Sequence, residues 1–316
     1  MSIGRIKIVV CGAGNVGATT AYGLALERLC DDIVLLDKSA DKAWAEAEDL
    51  KHALSADSSG ITVKSGGYDE CADADIVIFT AAPPYQLGQT RPEMLEQAAK
   101  IAENVVPQIM SSGFDGFFIV VTNPVDVITA YIRKLSGLPA QKVIGTGTAL
   151  DSARLRMYIA DMLHVDPMSV TAFCMGEHGE SQIIPWSLAA VGSKPLTEVI
   201  TDNPDRLGRF DSSRAAEDIK KVAYDIVTRK GSTTFGISAT ACSIVHAIIR
   251  GKRTVIPVSA YLDGEYGIKG VYAGVPAVIG MEGVKELVEY RLNPDELESF
   301  RRSAEIIRGY CEELGI

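Results

Sequence analysis

Three glycines between a strand-like and a helix-like stretch do most to restrict how this chain folds. Residues 6–11, Ile-Lys-Ile-Val-Val-Cys, are apolar and β-branched and read as a buried strand. Gly12-Ala-Gly14-Asn15-Val16-Gly17 follows at once, and residues 18–29 then carry small and apolar side chains at helical spacing. A second short strand, residues 33–37, ends on Asp37, twenty residues beyond Gly17. A strand, a glycine turn, a helix and a later carboxylate form a dinucleotide-binding arrangement. The first glycine permits the turn, the second admits a pyrophosphate, and the third lets helix and strand pack closely, while the helix N-terminus supplies N–H donors. Asp37 can accept from both ribose hydroxyls and repels a 2′-phosphate, which favours NAD over NADP. On the glycines alone, a turn in an unrelated α/β protein competes with this reading.

The alternation continues. Strands are expected at residues 61–65, 75–80, 117–121 and 142–144, with helices at 41–54, 93–111 and 125–135. Strands alternating with helices imply a parallel sheet covered on both faces. The fold class is therefore α/β, with a Rossmann-type doubly wound parallel sheet over residues 1–145 and a second, α+β substrate domain over residues 146–316. In that second half, helices are expected at 150–163, 211–228, 235–250 and 294–313, strands at 169–174, 254–261 and 270–279, and a polar loop at 195–210.

Charge and cysteine usage exclude other classes. A net charge of −10 without a basic run argues against nucleic acid and anionic membranes as partners. No stretch has the apolar length of a membrane span, and the N-terminal segment has no export-type apolar core. Six dispersed cysteines without a C-x-x-C pair read as buried, reduced thiols in the cytoplasm. The four histidines show no ligand spacing, so no metal is expected.

One of those histidines stands apart. Gly176-Glu-His178-Gly179 puts an imidazole between glycines and carboxylates, which suits proton transfer, although a solvated histidine in a polar turn has the same composition. Asp151 and Arg154 open a helix three residues apart and share a face. The aspartate can orient an imidazole and the arginine can clamp a carboxylate; an ordinary surface ion pair has the same spacing. Arg91 ends the glycine- and proline-bearing loop after the fourth strand, where a parallel sheet binds ligands, and can polarise a carbonyl when that loop closes.

From about Ile6 to its last helix the chain resembles the L-lactate/L-malate dehydrogenase family. The resemblance rests on Gly12-Ala-Gly-Asn-Val-Gly17, Asp37, Gly88-Gln-Thr-Arg91, Thr122-Asn-Pro-Val-Asp126, Gly145-Thr-Gly-Thr-Ala-Leu-Asp151-Ser-Ala-Arg154, Gly176-Glu-His-Gly179 and Lys230-Gly-Ser-Thr233. It implies hydride transfer between NADH and a small 2-keto or 2-hydroxy acid. His178 is then the acid/base, Asp151 its partner, Arg154 the carboxylate clamp and Arg91 the stabiliser of the developing alkoxide. Asn123 aligns substrate and nicotinamide, Thr233 lines the pocket, and Thr80, Ala81, Ala82 and Thr122 join the glycine loop, Asn15, Val16 and Asp37 around the cofactor. A homodimer or homotetramer is implied as well.

Departures from the pattern bear on substrate. Malate enzymes carry arginine six residues before the loop arginine, where this chain has Tyr85, followed by Gln86. Without a cation there, a second substrate carboxylate stays unpaired, so a neutral side chain is favoured. Pyruvate/L-lactate is the first expectation and the larger keto acids of L-2-hydroxyisocaproate dehydrogenases the second. Activation by fructose 1,6-bisphosphate is not expected: Arg156 matches that effector site's arginine, but Thr171 stands where its histidine belongs. Family 4 glycosidases also join this fold to NAD but hold a metal through a cysteine before the Asn-Pro pair, where this chain has Thr122. A non-catalytic NAD-binding sensor would have no use for His178, Asp151, Arg154 and Arg91 together.

Overall fold

The computed structural model describes residues 4–56, 60–83, 91–208 and 210–316; of Arg91 it describes the backbone alone. Six parallel strands carry the first half: β1 (Lys7–Cys11), β2 (Asp32–Leu36), β3 (Thr62–Ser65), β4 (Ile76–Phe79), β5 (Phe117–Val120) and β6 (Val143–Gly145), in the spatial order 3-2-1-4-5-6. Ile8, Val9, Val10, Ile33, Val34, Leu35 and all of β4 are buried on both sides of the sheet. Such unbroken apolar runs are stable only when helices cover both faces. The covering helices include α1 (Asn15–Leu26), α2 (Ala40–Leu54), α3 (Arg91–Ser111) and α4 (Val125–Ser136). No single helix among the described residues is long and apolar enough to cross a membrane.

The second half begins with α5 (Ala149–Leu163) and a small sheet of β7 (Val170–Thr171), β8 (Ala190–Val191) and β9 (Lys194–Pro195). Helices α6 (Leu196–Thr201), α7 (Pro204–Leu207), α8 (Ser212–Lys230) and α9 (Phe235–Arg250) follow. The antiparallel strands β10 (Thr254–Asp263), β11 (Lys269–Gly280) and β12 (Gly283–Leu287) come next, and α10 (Pro294–Glu313) closes the chain. The three antiparallel strands continue the first sheet: β10 pairs with β6 through Ser259 and Gly145, so nine strands form one surface. This junction is tight. A Cβ at Gly145 would lie 2.4 Å from Thr129 Oγ1 and 2.7 Å from Ser259 Cβ.

Three local expectations change. The strand expected at 169–174 is only two residues long, because Cys174 turns away from the ladder: its N–H donates to Ser152 Oγ at 2.9 Å and its carbonyl accepts from Thr148 Oγ1 at 2.6 Å. The polar stretch at 195–210 contains α6 and α7, with Pro204 as the first residue of α7, where its missing N–H costs no hydrogen bond. β12 is an edge strand whose Lys285 and Glu286 obscure any apolar alternation.

Helix α9 lies on α1. Ser238 Oγ donates to the Thr19 carbonyl at 2.9 Å, and a Cβ at Gly23 would lie 3.0 Å from Cys242 Sγ. Both numbers rise together, so the helices run in the same direction and residues 232–234 descend beside the N-terminal turn of α1. Replacing Gly145 by alanine forces the β6–β10 junction apart, and overpacking of this kind costs about 1–3 kcal/mol. The urea midpoint is expected to fall accordingly; an unchanged midpoint would show that the junction can yield.

Candidate functional site

The C-terminal ends of the parallel strands converge where β1 turns into α1. Gly12 has φ +111°, and a Cβ there would lie 2.7 Å from the Ala81 nitrogen; one at Gly17 would lie 1.9 Å from the Gly12 carbonyl oxygen. Both glycines are therefore required by the fold itself. Gly14 differs: nothing lies within 4 Å of a Cβ built there, and no side chain caps the helix that starts at Asn15 and Val16. A helix N-terminus without a side-chain cap, beside open space, is suited to an anionic group. Thr80 fastens the turn from below, its hydroxyl donating to the Gly12 carbonyl at 2.8 Å. Thr122 Oγ1 donates to the Ala81 carbonyl at 2.9 Å and so ties the ends of β4 and β5, with half-buried Ala81 and exposed Ala82 between them in sequence.

Asp37 takes the Ala13 N–H at 2.8 Å and the Ser39 N–H at 3.0 Å, which fixes its carboxylate at the end of β2. A hollow of about 470 Å³ opens beside it, lined by Leu36, Lys38, Ser65, Gly67 and Tyr68 among others. Mixed polar and apolar walls around one anchored carboxylate suit a nucleoside whose ribose hydroxyls donate to that acid. These residues fit NAD on the chemistry of the donor set alone.

The second centre is built from α5 and the loop after β7. Asp151 lies in the first turn of α5 and is almost wholly buried. Its Oδ2 is 2.6 Å from His178 Nδ1 and its Oδ1 is 3.0 Å from Arg154 Nη1. Exposure runs from 7% for the Asp151 side chain through 14% for Arg154 to 28% for His178, so the imidazole is the member most open to solvent. Burial pushes the Asp151 carboxyl up, but the charge and hydrogen bonding of His178 and Arg154 outweigh it and hold the acid below its ordinary value. Burial pulls the His178 imidazole down, while Asp151 by charge and hydrogen bond, and Asp126 by charge, raise it; the net shift is upward.

The loop that carries His178 is held at several points. Gly176 has φ +91° and exchanges both backbone hydrogen bonds with Gly274 of β11, at 2.9 and 2.8 Å. A Cβ at Gly176 would lie 2.4 Å from Ser303 Oγ of α10, which accepts the Glu177 N–H at 2.8 Å. The His178 N–H donates to Asp126 Oδ2 at 2.8 Å, and Ser259 Oγ donates to Asp126 Oδ1 at 2.6 Å. Asp126 has no assigned role in the sequence reading, although it closes the Thr122–Asp126 motif; only the folded contact with the His178 backbone singles it out.

Other expected residues fall around these two centres. Asn123 is exposed, three residues before Asp126 on the same segment. Thr233 is half-buried in the turn between α8 and α9, which Lys230 braces by donating to Thr234 Oγ1 at 2.7 Å. That turn approaches the aspartate: a Cβ at Gly236 would lie 2.8 Å from Leu150 Cδ1, next to Asp151. Tyr85, Gln86 and the Arg91 side chain lie outside the described residues. All six cysteines are buried and none forms a disulfide. Among the described residues no three His, Cys, Asp or Glu side chains group as a metal site.

The chain is similar to proteins of one family over both of its halves. Residues 6–145 match the family model for the lactate/malate dehydrogenase NAD binding domain, and residues 148–314 match that for the lactate/malate dehydrogenase alpha/beta C-terminal domain. L-lactate dehydrogenase 3 of Bacillus thuringiensis subsp. konkukian is 43% identical over 309 residues, 98% of each chain. Among solved structures, a lactate dehydrogenase from a Medee basin deep-sea metagenome library superimposes with a TM-score of 0.94 at 38% identity, covering 99% of this chain and 100% of that one. The minor L-lactate dehydrogenase of Enterococcus mundtii, in its ligands-bound form, gives 0.92 at 38% identity and 98% of each chain.

The glycine turn separates folding from binding. Gly17→Ala is expected to lower the thermal midpoint of the unliganded protein, whereas Gly14→Ala leaves that midpoint nearly unchanged and weakens NADH binding by roughly tenfold or more. Calorimetry and NADH fluorescence titration separate the two; equal effects on both properties in both variants would contradict this division.

Proposed function

The chain belongs to the lactate/malate dehydrogenase family, and from that premise we propose that it is an NAD-dependent L-2-hydroxy acid dehydrogenase of the L-lactate type, interconverting pyruvate and L-lactate. The observation that carries the proposal is the buried Asp151 carboxylate, held between an imidazole and a guanidinium. A proton donor and a cation for a carboxylate are what reduction of a 2-keto acid needs from the protein.

Bound NADH supplies the hydride. The chain's own residues do the rest. Asp151 engages His178 at Nδ1, which leaves Nε2 as the nitrogen that gives its proton to the carbonyl oxygen. The upward shift of the His178 pKa favours the charged, donating form for reduction; the reverse reaction needs the neutral form. Arg154, whose Nη1 is engaged by Asp151, offers its other N–H donors to the substrate carboxylate. Arg91 comes from the start of α3 and is assigned to the carbonyl oxygen as negative charge builds there. Asn123 is assigned to the substrate and nicotinamide, and Thr233 to the wall beside the substrate side chain.

For cofactor binding, Gly12, Gly14, Asn15, Val16 and Gly17 are assigned to the pyrophosphate and Asp37 to the ribose, and Thr80, Ala81, Ala82 and Thr122 would join them in holding the cofactor. On this reading residues 1–145 form the NAD-binding domain and residues 146–316 the substrate domain. Tyr85 and Gln86 are proposed as substrate-binding residues, and the absence of a cation at that place in the sequence supports a neutral substrate side chain over a second carboxylate. The assembly is proposed to be a homodimer or homotetramer, insensitive to fructose 1,6-bisphosphate.

NADH oxidation with pyruvate, 2-ketobutyrate, 4-methyl-2-oxopentanoate, phenylpyruvate and oxaloacetate tests the reading. Pyruvate is expected to have the highest kcat/KM and oxaloacetate to fall at least about 10²-fold below it. His178→Asn is expected to lower kcat by roughly 10²–10⁴-fold. A preference for oxaloacetate would overturn the substrate assignment, and near-normal turnover of His178→Asn would overturn the mechanism.

A further inference from the structure

One deeply buried ionisable group has been given no contact with the reacting atoms in the reaction just described. Asp126 lies in the first turn of α4 and is only 2% exposed. Its sequence neighbours Val125, Val127 and Ile128 are buried and apolar, and packing alone gives no reason for a carboxylate among them. Its two oxygens have separate tasks. Oδ1 is anchored by the Ser259 hydroxyl of β10 at 2.6 Å, and Oδ2 receives the backbone N–H of His178 at 2.8 Å. One side chain thus joins a helix of the first half, a strand of the second and the loop that bears the imidazole.

The hold on His178 then has two ends. Asp151 fixes the ring at Nδ1, and Asp126 fixes the backbone from which the ring hangs. Held at Nδ1 alone, the imidazole could still swing about that contact and displace Nε2. Upstream contacts do not replace the second hold: Gly176 is paired with Gly274 and the Glu177 N–H goes to Ser303, which leaves the His178 N–H to Asp126. Asn123 lies three residues before Asp126, at the end of β5, on the side where the dinucleotide turn opens. The spacing between Asn123 and His178 is therefore set across four residues of backbone and one hydrogen bond.

We propose that Asp126 is a positioning residue for hydride transfer, fixing the His178 backbone relative to Asn123 so that proton donor and nicotinamide meet the same carbonyl. This rests on the reading of His178 as the acid/base given above. It assigns Asp126 no contact with substrate or cofactor. A misplacement of about 1 Å at the reacting atoms is enough to cost roughly 10²-fold in rate.

The test compares Asp126→Ala, Asp126→Asn and Ser259→Ala, with turnover expressed per NADH-binding site so that loss of folded protein does not count as loss of rate. Asp126→Ala is expected to lower kcat roughly 10²-fold, with the pyruvate KM and the NADH Kd changed by less than about threefold. Asp126→Asn keeps an oxygen for the His178 N–H and lets Ser259 accept instead of donate; it is expected to restore kcat to within about fivefold of wild type. Ser259→Ala leaves the carboxylate held at one end and is expected to lower kcat by about five- to tenfold, which tests the idea even if Asp126→Ala does not fold. Wild-type kcat per site in Asp126→Ala, or in Ser259→Ala, would overturn the proposal, as would an equal loss in Asp126→Asn and Asp126→Ala. His178→Asn, assayed alongside, separates the two failures: if it retains turnover, the acid/base reading itself falls, whatever Asp126 does.

Discussion

Asp151 is a charged group held almost completely out of water, with His178 Nδ1 at 2.6 Å on one oxygen and Arg154 Nη1 at 3.0 Å on the other. Removing a carboxylate from water is costly unless opposite charge and hydrogen bonds compensate it, and here two partners do so. Each is in turn oriented by the contact. The imidazole is left with one nitrogen outside that contact, and the guanidinium is left with donors to spare. Remove the carboxylate and both the tautomer of His178 and the direction of Arg154 are no longer set.

The architecture around Asp151 serves to bring its partners together. Arg154 comes for free, one helical turn further along α5. His178 does not: its loop must be carried back to the start of α5. Thr148 and Ser152 accomplish part of this by taking both backbone groups of Cys174, and Gly274, Ser303 and Asp126 fix the following residues. Gly176 and Gly274 lack side chains where these elements touch: a Cβ on Gly274 would meet Thr148 Oγ1 at 2.6 Å. The continuous nine-stranded sheet makes the same frame shared with the dinucleotide turn, because β10 continues from β6 on the edge beyond β5 and β4. Parallel packing of α9 on α1 brings the Thr233 turn to that place from the other side.

Much of this is legible in the sequence, for reasons that differ by residue. The glycine turn is legible because a strand–turn–helix pattern surrounds it and Gly17 faces the nearby Gly12 carbonyl, whereas Gly12 itself meets Thr80 and Ala81 at the end of β4, a contact only the fold supplies. Buried parallel strands announce themselves as short apolar runs, so six strands are found within a residue or two. The Asp151–Arg154 pair is visible as a spacing but ambiguous as chemistry, since the same spacing serves a surface ion pair. Only the fold supplies the burial and the histidine that decide the matter. Asp126 is illegible in another sense: its partners are 52 and 133 residues away, and one of them is a backbone N–H, which no side-chain pattern encodes. The short strand at β7 is hidden for a related reason, because side chains of α5 capture the backbone of Cys174.

Asp151 raises the His178 pKa and, by engaging Nδ1, leaves Nε2 as the donating nitrogen. The most direct measurement is the titration of the His178 ring by NMR in the wild-type protein and in Asp151→Asn. The wild-type midpoint is expected above the ~6.5 of an unperturbed imidazole, falling clearly when the Asp151 charge is removed. A wild-type midpoint at or below that value, or one that Asp151→Asn leaves in place, would contradict it.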